Sequence, residues 1–455
     1  MASDTLIPDT RVLAIASHVR SPTYVGNKMA TAVMQFLGCD VSAINTVHYR
    51  SIGNHTAYKQ VKGTKTSAED ILNLYEGLRQ SNLANFDVLL TGYMPSAEAV
   101  RAIGKIGRDV KFNAGTKPGS FFWVLDPVMG DNGKLYIPED EVPEYKALLR
   151  EADLILPNQF EAELLSDTTI TDLKSLAAAI QILHKKYQVP HVIITSLRLT
   201  HDNHTISSRV PSTAGSGTHT PTDTQSLDAA TSHPSTWPTS PPQQAPQINL
   251  KEIENLTIIG STATSDYTPR LFRIDTPQLP LFFSGTGDMF AALTVPRLIE
   301  AVRGVPGLSS KPSWRSPDDV SPEEIPLAKA CQKVLASMQS VLANTARTCE
   351  GVMGAYDKRA AKEGRGGAAD EEGAKKRHLA LMNACEVKPY KFVKDIIEPP
   401  HLERFVPRAV EESVPSAVGE KKPDELGVVH LGVGSGEETA FQVVPGEGAS
   451  ERSLE

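Results

Sequence analysis

Over its first 200 residues the chain alternates short apolar runs with longer segments whose apolar side chains recur every three to four positions. Val12 to Ala16, Val41 to Val47, Val88 to Leu90, Phe122 to Leu125, Leu154 to Leu156 and His191 to Thr195 have the length of buried strands. Between them, Asn27 to Leu37 (closed by Gly38), Ser67 to Arg79, Ser96 to Ile106 and stretches near 160–165 and 172–186 have helical spacing. Within 67–79, for example, Ile71, Leu72, Leu74, Tyr75 and Leu78 fall toward one side. Strands alternating with helices predict an α/β fold, a three-layer α/β/α sandwich with a mostly parallel central sheet. Ligands of such sheets sit beyond the carboxyl ends of the strands. The polar residues that close the strands are therefore the positions of interest: Ser17, Asn45, Thr91, Asp126, Asn158, Thr195 and Ser196.

The pattern breaks over 201–250, where Ser, Thr, Pro and Gln dominate and only Asp202, Arg209, Asp223 and Asp228 are charged. Such a segment buries too little apolar surface to offset its ordering entropy, so a disordered insertion is expected. Strand-like runs resume at Leu256 to Ile259 and Leu271 to Ile274, and helices are expected at about 287–302 and 323–349. Ala360 to Lys376 reads as a charged linker, and the chain from about Ala409 is acidic and weakly patterned. The expected organisation is one domain built from 1–200 and 251–350, the insertion at 201–250, a linker and C-terminal segment packing on the domain over 351–408, and a flexible acidic tail over 409–455.

Composition narrows the function classes. With 46 Lys and Arg against 54 Asp and Glu, the formal net charge is −8, and there is no large basic block. A nucleic-acid binder needs a positive face, so no nucleic-acid partner is expected. Met1 to Arg11 lacks the basic and apolar regions of a secretory leader. No apolar run approaches the roughly 18 residues that cross a bilayer, so no membrane partner is expected. Cys39, Cys331, Cys349 and Cys385 lie far apart without a C-x-x-C pair and read as thiols of a reducing compartment, the cytoplasm and possible nucleocytoplasmic distribution being the expectation.

Three segments carry candidate chemistry. Ser284-Gly285-Thr286-Gly287-Asp288, followed by the apolar run Met289 to Leu293, reads as a glycine turn opening a helix. The first amides of a helix have no internal partner and attract phosphate. Asp288 at that mouth would repel a polyphosphate unless it has a task, such as taking the proton of an attacking hydroxyl; a plain helix cap is the simpler reading. Asp126-Pro127-Val128-Met129-Gly130-Asp131 closes the fourth strand, where Pro127 stops the ladder and Gly130 allows a turn that aims both carboxylates at one point. That suits a hydrated divalent cation carrying nucleotide phosphates, or equally an ordinary acidic turn. Asn158 and Glu161 have capping-box spacing, compatible with Asn158 near phosphate and Glu161 ordering metal-bound water. His18 and His55 lack a third ligand at zinc spacing and read as loop residues. Tyr24-Val25-Gly26-Asn27 forms an aromatic-plus-glycine loop, suited to a planar substrate or to packing alone.

Taken together, Ser17-His18-Val19, Tyr24 to Asn27, Asn54-His55-Thr56, Leu90 to Tyr93, Asp126 to Asp131, Pro157 to Leu165, Ile194-Thr195-Ser196 and Gly285 to Phe290 give the chain a specific likeness. In that order, over roughly 11–200 and 255–300, it resembles the eukaryotic, fungal-type pyridoxal kinases of the ribokinase-like superfamily. The run from Pro157 to Leu165 is the most diagnostic. The resemblance implies ATP-dependent phosphorylation of the 5′-hydroxymethyl group of pyridoxal, pyridoxine and pyridoxamine. It implies Asp288 as general base, with the amides of Gly285, Thr286 and Gly287 as anion hole. Ser17 and Thr56 would meet the pyridine substituents, with Tyr93 nearby. Asp126, Asn158, Glu161, Thr195, Ser196 and Thr286 would hold ATP, and Asp126, Asp131, Glu161 and Thr195 would serve Mg2+. K+ as a monovalent activator and a homodimer are further implications. The rival readings are a hydroxymethylpyrimidine or sugar kinase, and a catalytically silent vitamer-binding protein. Four positions depart from the family pattern: Leu156 replaces Thr, Ala57 replaces Gly, Val61 replaces Trp, and Pro280 stands where an acidic residue is common. Leu156 is expected to remove one possible oxygen ligand of the potassium ion.

Overall fold

Alternating side chains on each central strand feed two separate apolar layers, and these layers define the architecture. The computed structural model describes residues 7–20, 23–49, 62–198, 255–279, 281–362 and 371–410. In chain order, β1 (Thr10–Val19), α1 (Asn27–Phe36), β2 (Cys39–Tyr49) and β3 (Gly63–Lys65) are followed by α2 (Ala68–Gln80), β4 (Val88–Thr91) and α3 (Ala97–Asn113). Then come β5 (Phe122–Leu125), the small hairpin β6 (Gly130–Asp131) and β7 (Lys134–Leu135), α4 (Glu141–Leu148), β8 (Leu154–Ile155), α5 (Gln159–Ser166), α6 (Leu173–Tyr187) and β9 (His191–Arg198). The second part holds β10 (Asn255–Thr262), β11 (Leu271–Pro277), α7 (Thr286–Arg303), α8 (Pro326–Lys362), α9 (Glu371–Ala384), α10 (Val393–Ile397) and β12 (Arg408–Ala409).

The main sheet has the order β12-β11-β10-β9-β8-β5-β4-β1-β2-β3. The six strands from β2 to β9 in that order are parallel; β3 at one edge and β10, β11 and β12 at the other are antiparallel. On β1, Val12 and Ala14 join one core layer with Met29 and Val33 of α1, Met289 of α7 and Cys331 of α8. Leu13 and Ile15, pointing the other way, join Ile71 of α2, Ile103 of α3, Tyr145 of α4, Leu165 of α5 and Ile180 of α6. Phe122 and Val124 of β5 likewise face the first layer, and Trp123 and Leu125 the second. Helices on both faces of a mostly parallel sheet are the expected α/β/α sandwich.

Several elements differ from the sequence expectation. α8 runs 37 residues and α9 begins at Glu371, inside the stretch that reads as a linker. Charged residues with long side chains are good helix formers, so their abundance does not by itself signal irregular chain. Arg377 Nε donates to Asp357 Oδ1 at 2.8 Å, tying α9 to α8. α4, amphipathic only weakly, gives no periodic signal and escapes detection. Beyond α9, Arg297 Nη2 donates to the carbonyls of Ile396 and Ile397 at 2.7 and 2.8 Å, and β12 adds to the sheet edge through Phe272 and Arg273. The insertion over 201–250, Thr56, Ala57, Val61, Pro280 and the acidic tail beyond residue 410 lie outside the described residues.

Candidate active site

Two glycines join the end of β1 to the turn that precedes α7. Gly26 has a φ of +54°, and a Cβ there would lie 1.9 Å from the carbonyl oxygen of Ser17 and 2.4 Å from its Oγ. Only glycine fits both the space and the left-handed backbone. Gly285, at φ +76°, has the same restriction: its Cβ would lie 2.3 Å from the carbonyl oxygen of Tyr24. The 24–26 loop is thus held between Ser17 and the 284–288 turn. Asn27, 2% exposed, fixes the loop from below, its Nδ2 donating to the carbonyls of Ala16 (3.2 Å) and Ile44 (2.8 Å) and to Asn45 Oδ1 (2.9 Å).

At the mouth of α7 the N-cap is Gly285, which has no side chain to accept from the first-turn amides, and Asp288 is the only acid in that turn. The amide of Gly26 donates to the Asp288 carboxylate. Burial raises the Asp288 carboxyl above the ordinary range, with that amide pulling the other way. The residue whose Cα packs against Ser17 therefore also holds Asp288 through its amide.

Asp126 follows β5, its amide donating to the carbonyl of Thr91 at 2.8 Å. Burial, reinforced by the charges of Glu161 and Asp288, holds the Asp126 carboxyl well above the usual carboxylate range. Acids from the loop after β5 and from the first turns of α5 and α7 therefore crowd one another, an arrangement that a proton or a cation relieves. Among the described residues no group of three or more His, Cys, Asp or Glu side chains forms a ready metal cage.

Glu161, 4% exposed, is committed to backbone. Its Oε1 accepts from the amides of Met129 (2.9 Å) and Gly130 (3.4 Å), and its Oε2 from the amide of Asn158 (2.9 Å). Burial pushes this carboxyl up to about 7 despite the three amides. Asn158 completes the capping box, accepting from the amide of Glu161 at 3.0 Å while its Nδ2 donates to the carbonyl of Gly130 at 2.7 Å. Both residues thus clamp the 126–131 loop to α5. The turn in that loop is not at Gly130, which opens β6; it is at Asn132 (φ +50°) and Gly133 (φ +75°). Asn-Gly between paired residues is the strongest short hairpin signal, and it was available in the sequence. Asp131 consequently points to solvent, accepting from the amide (2.7 Å) and side chain (3.0 Å) of Asn132.

Thr195 meets this cluster through its amide, which donates to the carbonyl of Pro157 at 3.1 Å. Opposite β10, Ile194 pairs with Ile259 and Leu197 with Thr257, leaving Thr195 and Ser196 against Ile258 alone. Such a bulge turns side chains out of the sheet alternation and is frequent beside active sites. Ser196, exposed and at φ +61°, holds the left-handed conformation in it.

Tyr93 lies beyond β4, where its carbonyl accepts from Thr46 Oγ1 at 2.8 Å. Its hydroxyl is hydrogen-bonded to that of Tyr49, and burial, followed by the Tyr49 and Glu141 charges, raises it further above the ordinary phenol range. Leu156 is 4% exposed within the core layer shared by α1 and α7, so its side chain packs among apolar groups. That removes the basis for expecting a lost potassium ligand there.

Residues missed in the sequence surround the same loop. Thr23 Oγ1 donates to Glu386 Oε1 at 2.8 Å, and the Tyr24 ring lies 6.0 Å from that of Tyr390. Lys28 Nζ sits 4.4 Å from the Tyr24 ring centroid. A partner more than 360 positions away leaves no local trace, whereas Gly26 and Asn27 lay inside a loop already of interest.

Residues 85–228 match a family described as phosphomethylpyrimidine kinase. A Schizosaccharomyces pombe protein named "Putative pyridoxal kinase" is 34% identical over 336 residues, which cover 74% of this chain and 85% of that relative. Pyridoxal kinase of Sus scrofa is 39% identical over 181 residues, 39% of this chain and 54% of that protein. The solved structure of Leishmania donovani pyridoxal kinase in complex with ADP and pyridoxamine aligns over 88% of this chain and 99% of its own, with a TM-score of 0.57 at 23% identity. At that identity the structural match establishes the fold, and the long alignment to the fission-yeast relative establishes the family. The chain belongs to the pyridoxal kinases, on the ribokinase-like fold.

Proposed function

We propose that the protein transfers the γ-phosphoryl group of ATP to the 5′-hydroxymethyl oxygen of pyridoxal, pyridoxine and pyridoxamine, with Asp288 as general base. The observation that supports this most is the Gly26 amide, which holds the Asp288 carboxylate while its own residue packs on Ser17. In this reading Ser17, Thr56 and Tyr93 orient the pyridine ring and Asp288 takes the hydroxyl proton. The freed oxygen attacks the γ-phosphorus as the bond to the β-phosphate oxygen breaks, and ADP leaves. The amides of Gly285, Thr286 and Gly287, at an α7 terminus without a side-chain cap, meet the charge on the transferring group. Asn158, Glu161, Thr195 and Ser196 shape the nucleotide side. The donor set fits Mg2+, a hard cation that takes one or two carboxylates along with water and phosphate oxygens. Asp126 would hold it, with Glu161 and Thr195 beside it and the outward-turned Asp131 acting only through water, and when bound it neutralises phosphate charge. K+ activation, a homodimer and residence in the cytoplasm and nucleus belong to the same proposal.

The phosphomethylpyrimidine kinase match keeps a hydroxymethylpyrimidine acceptor as the second reading. ATP turnover against pyridoxal, pyridoxine, hydroxymethylpyrimidine and ribose separates them. Turnover with the two vitamers and not with the others is expected; preference for the pyrimidine or the sugar, or no turnover at all, would overturn the proposal.

A further inference from the structure

Two buried thiols from different elements meet behind the site. Cys349 of α8 and Cys385, one residue past α9, lie 3.0 Å apart, Sγ to Sγ, and are 2% and 3% exposed. Both are free thiols. Met353, Leu281, Tyr356, Leu381 and Ala384 enclose them. A disulfide needs a sulfur separation near 2.05 Å, so about 1 Å of closure suffices. On the same turn of α8, Glu350, Gly351 and Val352 are exposed. The neighbouring residue, Glu386, is the one that accepts from Thr23 in the loop before α1.

We infer that Cys349 and Cys385 form a modification site, a thiol pair that hydrogen peroxide converts to an intramolecular disulfide between α8 and the segment after α9. One sulfur attacks a peroxide oxygen, giving a sulfenic acid and water. The second sulfur then attacks the sulfenic sulfur, forming the S–S bond and releasing a second water. Two electrons pass from the thiols to the peroxide, and a dithiol reductant reverses the change. Burial raises the Cys385 thiol, so little thiolate exists and the pair stays reduced until a strong oxidant reaches it. Closure adds a covalent tie across 36 positions and pins the Glu386 end of the Thr23 hydrogen bond.

The test uses the full chain, fully reduced and then exposed to hydrogen peroxide. Expected are the loss of two hydrogen atoms in intact mass and a non-reducing proteolytic map in which the Cys349 peptide is linked to the Cys385 peptide. Dithiothreitol should reverse both. Oxidation should also raise Tm by several degrees, in the range of about 3–8 °C, and slow amide exchange in residues 23–28. Cys349→Ala and Cys385→Ala should each abolish the linked peptide and the Tm shift. Two fully alkylatable thiols after peroxide, oxidation that stops at sulfinic acid on one sulfur, or a link to Cys39 or Cys331 instead would each overturn the inference. The peptide map reads the unsubstituted protein, so the result stands even if a variant folds poorly.

Discussion

Asp288 is held by an amide, and that makes its proposed role testable without disturbing the fold. Asp288→Asn keeps an oxygen for the Gly26 amide and removes the basic carboxylate. The expected outcome is a kcat about 10²- to 10⁴-fold lower at saturating acceptor, with ATP affinity unchanged by equilibrium titration. An unchanged kcat would remove Asp288 as the base. Leu156 gives the opposite kind of prediction. Because its side chain lies in the apolar layer, Leu156→Thr should leave the potassium activation curve where it is. It should cost about 2–4 kcal/mol in denaturant unfolding, from lost packing and a buried hydroxyl. A leftward shift of the potassium curve would show that residue 156 faces the ion after all. At this scale the sequence was informative wherever chemistry and turn geometry coincide, as in Gly285 to Asp288. It misplaced Asp131, since reading Gly130 as the turn concealed the Asn132-Gly133 hairpin that turns this carboxylate outward.

Between elements, Asn158 is the junction: one side chain caps α5 and holds the carbonyl of Gly130, while its backbone bridges toward Thr195. Asn158→Ala is expected to lower stability by about 1–3 kcal/mol, a cap and a part-buried hydrogen bond lost together. The KM for ATP should rise as the 126–131 loop loosens. Asn158→Asp, which keeps the cap and loses only the donor to Gly130, should fall between the two in thermal midpoint and in KM. An Asn158→Asp variant indistinguishable from the wild type would mean that the Gly130 bond contributes nothing. The strands and helices around this junction were legible because their apolar periods differ so clearly. α4 and α9 were not, as the first lacks an apolar stripe and the second has the charge-rich composition of a linker.

For the molecule as a whole, acid stability turns on two buried histidines, one on α6 and one at the start of β9. His184 is bonded to the Val189 carbonyl (2.6 Å) and Ser261 Oγ (2.8 Å), and His191 to Thr262 Oγ1 (2.9 Å) and the Ser313 carbonyl (2.7 Å). Burial pushes both down to about 4, from 6.5 when exposed. The unfolded chain therefore takes up protons first, so their contribution is complete above pH 6.5 and is lost as pH falls toward 4. Each shift corresponds to about 3 kcal/mol. Glu141 and Glu161, both pushed up to about 7, act with the opposite sign and weaken the fold as pH rises from 4.5 to 7. The clean measurement is thus a difference: the Tm of the wild type minus that of His184→Gln should shrink as pH drops from 6.5 toward 4. A constant difference would mean that His184 is not held neutral. The β9–β10 pair bears on the insertion. Arg198 of β9 and Leu256 of β10 are paired neighbours, so the chain leaves and re-enters the sheet at adjacent points. Replacing 201–252 by a short glycine-containing turn should leave Tm and kcat nearly unchanged, since closing a longer loop adds only slowly growing entropy. A loss of folding on replacement would assign that segment a structural task.

Gly26 works like a fixed gauge between two neighbours. The spacing from Ser17 to Asp288 runs through one backbone unit with no side chain of its own, and not through rotatable groups. Side chains around the acceptor can therefore be exchanged without moving the carboxylate, which separates the evolution of acceptor choice from that of proton removal. On such a frame, a lineage could drift from one hydroxymethyl heterocycle to another while its chemistry stayed intact throughout.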